Sequence, residues 1–554
     1  MNSRLTRVLG TAAVVGALAL AGTTAIGASG GAEDRSAELA SKIDPQKPRN
    51  VILIIGDGMD DSMITAARNY ELGADGRFAL DELPFTGAMT THGYKVGEGP
   101  DYPIAYVSDS APTASAWSTG KKTVDSRVSQ GPSTDLEVPG EDYETVLQKY
   151  RDAGKRTGNV STAELTDATP AAAATSINNR ACQGPEDLET CTEAQKANGG
   201  KGSIAEQLVD NEIDVILGGG AQRFAQEADE GGTVSDYATE ELDYNVVSDR
   251  SELDSVGSLE EGPILGLFSE GNMTPHYEPL VAQPGGAGGP DTQCSDADRG
   301  DEPSLSEMTG KAIELLDNKK GFFLQTESAM IDKQEHASDI CGAIGDLREI
   351  DATVKVALEY QKSNPDTLII VTADHAHSTQ IVGSADGGKQ TATVRTADGD
   401  PLTVAYSTQD EGSAHTGSQI RVAASGPQAA NVTGTIDQTD LFGIMARGAS
   451  GTKPTPPPTS HPKPTATLKA PSSVSPSEAH KGVRLTTGFS DASKATLTAT
   501  QGRKKIATEK VSTKGGSFVV KLREAQPGKV TFTLNASGKG GKTTTTKTVR
   551  VTKR

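Results

Sequence analysis

Four short apolar runs, "NVILIIGDG", "DVILGGG", "GFFLQTE" and "TLIIVTADH", constrain the fold most, because none alternates apolar with polar residues. A strand with one wet face must alternate, so an unbroken apolar run is a strand covered on both sides, as in a parallel sheet. Helix-like stretches such as "DYETVLQKYRDAG" and "LREIDATVKVALEYQKS" lie between these runs and supply the covers. Residues 45–449 therefore read as α/β, an open, mostly parallel sheet with helices on both faces. The acidic, Gly-rich interval from Ala225 to Gly300 reads as insertion and surface loop. A Pro/Thr-rich linker follows at 450–467. Beyond it, 468–554 alternates in short β-branched runs separated by Gly-containing turns, the pattern of a small all-β sandwich.

At 554 residues the chain exceeds what one core organises. Residues 1–32 join Arg4 and Arg7 to an apolar Ala/Gly-rich run, which reads as a secretory signal peptide and implies a secreted or surface-associated protein. An uncleaved anchor is the alternative, since the run nearly reaches a bilayer span of about 20 residues. Cys182, Cys191, Cys294 and Cys341 form an even set without a CxxC, which favours disulfides. Chain order suggests Cys182 with Cys191 and Cys294 with Cys341, although three pairings are possible. Charge is lopsided: from Thr452 onward there are 20 Lys and Arg against 4 Asp and Glu, a net of +16, while the remainder has 33 against 70, a net of −37. Solubility explains the acidic body, and the basic tail is either a solvated face or a contact to an anionic cell wall. No nucleic-acid motif accompanies it, so no such partner is expected.

Several apolar runs stop at a residue able to hold a metal: Asp57 after "VILIIG", Glu327 in "GFFLQTE", Asp374 and His375 after "TLIIVTA". Ligands in open α/β sheets bind beyond the carboxyl ends of the strands, so these side chains should share one rim. In "ESAMIDKQEH", Asp332 and His336 are four apart and face the same way on a helical turn. His415 lies in the polar segment "DEGSAHTGSQ". Oxygen and imidazole donors without thiolate suit zinc, with manganese or cobalt tolerated. His92, His276 and His377 are assigned no site role, only surface or supporting positions. In "YVSDSAPTASAWSTG", Tyr106 and Val107 read as a strand end and Ser110 as either a helix cap or a nucleophile. A helix N-terminus favours anions, and a nearby divalent ion makes a serine alkoxide accessible.

Long motifs, "IIGDGM", "SDSAPTASAWSTG", "TGNVSTAELTDATPAA", "FFLQTESAMIDKQEHAS", "VTADHAHSTQIV" and "HTGSQIRVAASGP", give residues 50–445 a resemblance to the bacterial alkaline phosphatases, secreted metal-dependent phosphomonoesterases. The resemblance implies a phosphoserine intermediate on Ser110 and a phosphate clamp by Arg180, in "SINNRAC". It implies two Zn2+ and one Mg2+ per chain. Asp332, His336 and His415 would hold the first zinc, and Asp57, Asp374 and His375 the second. Asp57, Thr169 and Glu327 would hold the magnesium, and Asp167 and Lys333 would act through waters. Small phosphate monoesters and a homodimer are the implied substrates and assembly; the alternatives are a phosphodiesterase or sulfatase of the same superfamily, or a cell-surface-binding protein in which catalysis is secondary. Pro112 departs from the family's usual Ala, and the C-terminal part, which is similar to immunoglobulin-like modules, lies outside the likeness.

Overall fold

The computed structural model describes residues 34–228, 231–385, 388–408, 413–449, 463–538 and 541–553. The proposed signal peptide and most of the proposed linker lie outside these residues. The chain divides into two compact units, Met1–Ala449 and Ser450–Arg554.

The first unit is built on a ten-stranded sheet. In chain order its strands are β1 (Asn50–Gly56), β2 (Phe85–Thr90), β3 (Arg156–Glu164), β4 (Val215–Gly219), β5 (Asn245–Val247), β6 (Ile264–Leu267), β7 (Phe322–Ser328), β8 (Thr367–Ala373), β9 (Ile420–Ser425) and β10 (Gly434–Asp437). Their spatial order is β10-β2-β9-β8-β1-β7-β3-β4-β6-β5. Every neighbouring pair is parallel except the two that involve β9. The unbroken apolar run reports this burial, since Val51 to Ile55 are all 0% exposed. Each such side chain contributes about 1.5–3 kcal/mol.

Seven helices place the site: α1 (Asp61–Leu72), α2 (Ser110–Thr119), α3 (Val146–Asp152), α4 (Ala168–Ala174), α5 (Leu305–Leu316), α6 (Met330–His336) and α7 (Ile340–Ser363). Alternate residues of β7 show that both sheet faces are covered. On one face Thr326 meets Thr309 of α5, and Ser328 donates to the Asp346 carbonyl of α7. On the other, Phe323 packs on Tyr150 of α3, while Gln325 accepts from the Trp117 indole of α2 and donates to the Thr169 carbonyl of α4. Glu327 shares the second face by the two-residue period of a strand.

Two local expectations fail. The interval 225–300 is more than loop, because it contributes β5 and β6, which extend the sheet beyond β4. These strands are only three and four residues long and set in acidic sequence, so their apolar signal is weak. The strand before Ser110 ends at Ala105, and Tyr106 and Val107 lie exposed beyond it, outside any ladder that would cover them.

A three-stranded sheet and a five-stranded sheet form the second unit, with Leu485, Leu497, Phe532, Leu534 and Val549 in one shared core.

Candidate active site

Three adjacent parallel strands end in register, and that register assembles one rim. Ile55 of β1 lies opposite Glu327 of β7 and Thr372 of β8, and Gly56 lies opposite Ala373. Asp57, Glu327 and Asp374 consequently emerge together. The Asp374 carboxylate accepts from the backbone N–H of Gly58 (3.0 Å) and of His375 (2.8 Å), which locks the first and third strand ends to each other. His415 arrives from another part of the chain, after the strands Gln380–Val382, Gln390–Arg395 and Pro401–Tyr406, the third of which pairs antiparallel between the first two. The Thr416 N–H donates to the Ala376 carbonyl (3.0 Å) and brings His415 back beside His375.

Ser110 is the first residue of α2. Asp109, and not Ser110, caps the helix by accepting from the Ala111 N–H. The Ser110 hydroxyl is therefore released from capping, and its Oγ lies 3.2 Å from His375 Nε2. The same nitrogen is 3.3 Å from Asp57 Oδ1 and 3.2 Å from Asp374 Oδ2. Asp332 sits between two groups of donors: its Oδ1 is 3.9 Å from His375, 3.2 Å from His415, 3.5 Å from His336 and 3.3 Å from His377, each measured at Nε2. His336 and His415 present their Nε2 atoms 3.0 Å apart, while their Nδ1 atoms lie 2.9 and 3.0 Å from the carbonyls of Ser413 and Ser108. Those carbonyls can only accept, so each Nδ1 carries a proton, and each ring in its neutral form has its Nε2 lone pair free for a cation.

Electrostatics shows what the rim lacks. Burial, reinforced by Asp374, Asp332 and Glu327, holds the Asp57 carboxyl well above the usual range. Glu327 is pushed up to about 8, first by burial and then by Asp167 and Asp374, against a hydrogen bond from Ser161. Burial also raises Asp374. Burial works against the Asp332 carboxylate too, yet the imidazoles of His377, His415 and His375 crowded around it hold it well below the usual range. Asp57 Oδ1, Asp332 Oδ1 and Thr169 Oγ1 are buried without a hydrogen-bond partner. Crowded carboxylates with unpartnered oxygens and imidazole lone pairs fit divalent cations, which would supply the missing charge and ligands.

A cationic side completes the pocket. The Arg180 guanidinium bonds Asp109 through Nη1 and Asp167 through Nη2, and Lys333 Nζ lies 2.6 Å from Asp167. Burial works against the Asp167 carboxylate, yet the charges of Arg180 and Lys333 hold it well below the usual range. Arg180 is anchored by its N–H to the Ser126 carbonyl (2.7 Å) and by the Cys182–Cys191 disulfide two residues on; Cys294 and Cys341 form the other disulfide.

Of the two positions expected for His377, surface or supporting, the structure shows the supporting one. His377 is buried, lies on Asp332 and meets the His336 ring edge-on at 4.5 Å, and the doublet "DHAH" was its signal. Asp109, which orients Arg180, was visible only as the residue before Ser110. His92 and His276 pair elsewhere, with Asp437 (3.8 Å) and Glu349 (3.4 Å).

A family model described as alkaline phosphatase matches residues 48–411. The chain is 45% identical over 446 residues to the alkaline phosphatase of Escherichia coli K12, covering 77% of this chain and 92% of the relative. It is 40% identical to the streptomycin-6-phosphate phosphatase of Streptomyces griseus, over 79% of this chain and 95% of the relative. Among solved structures, the Thermus thermophilus alkaline phosphatase aligns at a TM-score of 0.54 with 21% identity, over 76% of this chain and 95% of that one. The enzyme from the Antarctic bacterium TAB5 gives 0.53 and 21%, over 73% and 98%.

Proposed function

The chain belongs to the alkaline phosphatase family and is a metal-dependent phosphomonoester hydrolase, and we propose that it works by double displacement through Ser110. Asp332, His336 and His415 would hold one zinc, Asp57, Asp374 and His375 a second, and Asp57, Thr169 and Glu327 a magnesium. When bound, these cations supply the positive charge that lowers the pKa of a hydroxyl or water and offsets charge on the leaving oxygen. Ser110 releases its hydroxyl proton and attacks phosphorus, its P–O bond forming as the ester P–O bond breaks, and the leaving oxygen takes up a proton and departs as the alcohol. Water then attacks the phosphoserine, and the Ser110 oxygen departs with a proton. The Arg180 fork, held between Asp109 and Asp167, binds two phosphate oxygens. Lys333 and Asp167 order the waters beside it. The N-terminus of α2 directs backbone N–H groups toward the anion.

One observation carries the reading: Ser110 Oγ stands 3.2 Å from His375 Nε2, at the edge of a rim of unpartnered carboxylate oxygens. Acid-quenching the enzyme during turnover of a 32P-labelled monoester should trap label on wild type and none on Ser110→Ala with metal content unchanged. Covalent label on the variant would refute the assignment.

We assign catalysis to residues 45–449, export to the leader at 1–32, and attachment at an anionic cell surface to the basic module at 468–554. Among the described residues no helix is long and apolar enough to cross a membrane. Homodimerisation is the assembly proposed.

A further inference from the structure

The second unit carries an exposed sheet face whose composition deepens the attachment role just proposed. Its five-stranded sheet orders Ser473–Val474, Gly541–Val551, Gly528–Gly538, Lys494–Gln501 and Lys504–Lys510 side by side. Val530, Phe532, Leu534 and Ala536 turn inward and are buried, so their alternates point outward. The outward rows are almost wholly hydroxyl: Thr531 lies opposite Thr548, Thr533 opposite Thr546, and both continue across Thr500 and Thr498.

Cations border this carpet. Lys529 lies opposite Arg550 at one end and Lys542 opposite Ser537 at the other, eight residues or about 27 Å along the strands. Lys505 and Lys510, opposite Thr500 and Thr496, line the edge strand. Among the described residues no acidic one shares the face. Glu509 is in register with the inward-facing Leu497, Glu524 pairs with Lys504 at 2.8 Å, Glu478 caps the helix Pro476–Lys481, and Asp491 lies in the turn before Lys494.

We infer that this face holds a linear anionic polymer whose repeat is an alcohol phosphodiester. Cations at the border and hydroxyl donors between them match phosphate charges spaced along a flexible polyol chain. No aromatic side chain stands on the outward rows to stack a base, which disfavours single-stranded nucleic acid. No large apolar side chain projects from them to enter a bilayer, which disfavours a lipid surface. The polymer is held and not cleaved, since its repeats are diesters. The net of −37 on the rest of the chain would be repelled by such a polymer, and the basic face offsets that repulsion locally.

The test uses the full chain and immobilised poly(glycerol phosphate). Lys529→Gln/Lys542→Gln/Arg550→Gln removes three cations from this face. Lys469→Gln/Arg484→Gln/Lys521→Gln removes three from the three-stranded sheet side and serves as the charge-matched control. Far-UV circular dichroism confirms that both variants fold, and hydrolysis of p-nitrophenyl phosphate should be unchanged in both. The expected result is affinity at least tenfold weaker for the first triple, with a shallower salt dependence, against less than threefold for the control. Equal weakening by both triples overturns the assignment to this face and leaves attachment by net charge alone. Tighter wild-type binding to single-stranded DNA or to phosphatidylglycerol vesicles overturns the partner class. Absence of wild-type binding at low salt overturns the attachment role as well, while monoesterase activity would still stand.

Discussion

Arg180 gives the sharpest test of the anion site. Its two terminal nitrogens are each held by a carboxylate, Asp109 on one side and Asp167 on the other, so the fork is oriented before substrate arrives. Arg180→Lys keeps the charge but loses one of two hydrogen bonds to a dianion. A charge-assisted hydrogen bond is worth about 1.5–3 kcal/mol, which converts to roughly 10–150-fold in kcat/KM. Arg180→Ala loses both and should cost about 10²–10⁴-fold. The structure points to the upper half of that range, because Asp167 keeps Lys333 as a partner whereas Asp109 would face the incoming phosphate uncompensated. Adding Asp109→Asn to Arg180→Ala should therefore recover several-fold of the loss. The assay is kcat/KM on p-nitrophenyl phosphate together with the inhibition constant of inorganic phosphate, which should rise in parallel. An Arg180→Ala variant within threefold of wild type, or identical losses for Lys and Ala, would refute the clamp.

Three further outcomes follow from the same geometry. Exhaustive chelation should abolish activity and lower the melting temperature, and zinc with magnesium should restore both, because Asp57, Glu327 and Asp374 are crowded and raised by burial without cations; full activity in metal-free protein contradicts this. Turnover of p-nitrophenyl phosphate should exceed that of its diester and of its sulfate, since Arg180 and Lys333 together suit a dianion, and relative rates decide the matter. Asp346, buried on α7 and accepting from the His276 N–H (3.3 Å), is pushed up to about 7 by burial. Folding thus favours its protonated form, so its contribution is complete at low pH and is lost as pH rises through about 7. The loss runs from the ordinary carboxyl range up to about pH 7 and is flat above it; thermal melts between pH 4.5 and pH 7.5 should therefore show a smaller fall for Asp346→Asn than for wild type, and equal falls would count against it.

Much of the architecture was legible because burial on both faces forces an unbroken apolar strand, and β1, β4, β7 and β8 announce themselves that way. β5 and β6 did not, being too short to carry a pattern. Asp332 and His336 could be paired from their helical spacing, whereas His377 could not be placed beside them. Its contact with Asp332 depends on the turn after β8 meeting α6. Local chemistry likewise left Ser110 ambiguous between cap and nucleophile, and the three-dimensional arrangement gave the cap to Asp109.

From its sequence alone this protein was bound to be a covered parallel sheet with polar, metal-suited residues at its strand ends, since residue type and periodicity are local properties of the chain. Which strands neighbour one another, in what register, and hence which carboxylates crowd together and which imidazole nitrogen faces Ser110, only the tertiary structure decided. Those distances arise from contacts between segments hundreds of residues apart, and pairwise packing across such separations leaves no periodic trace in the sequence.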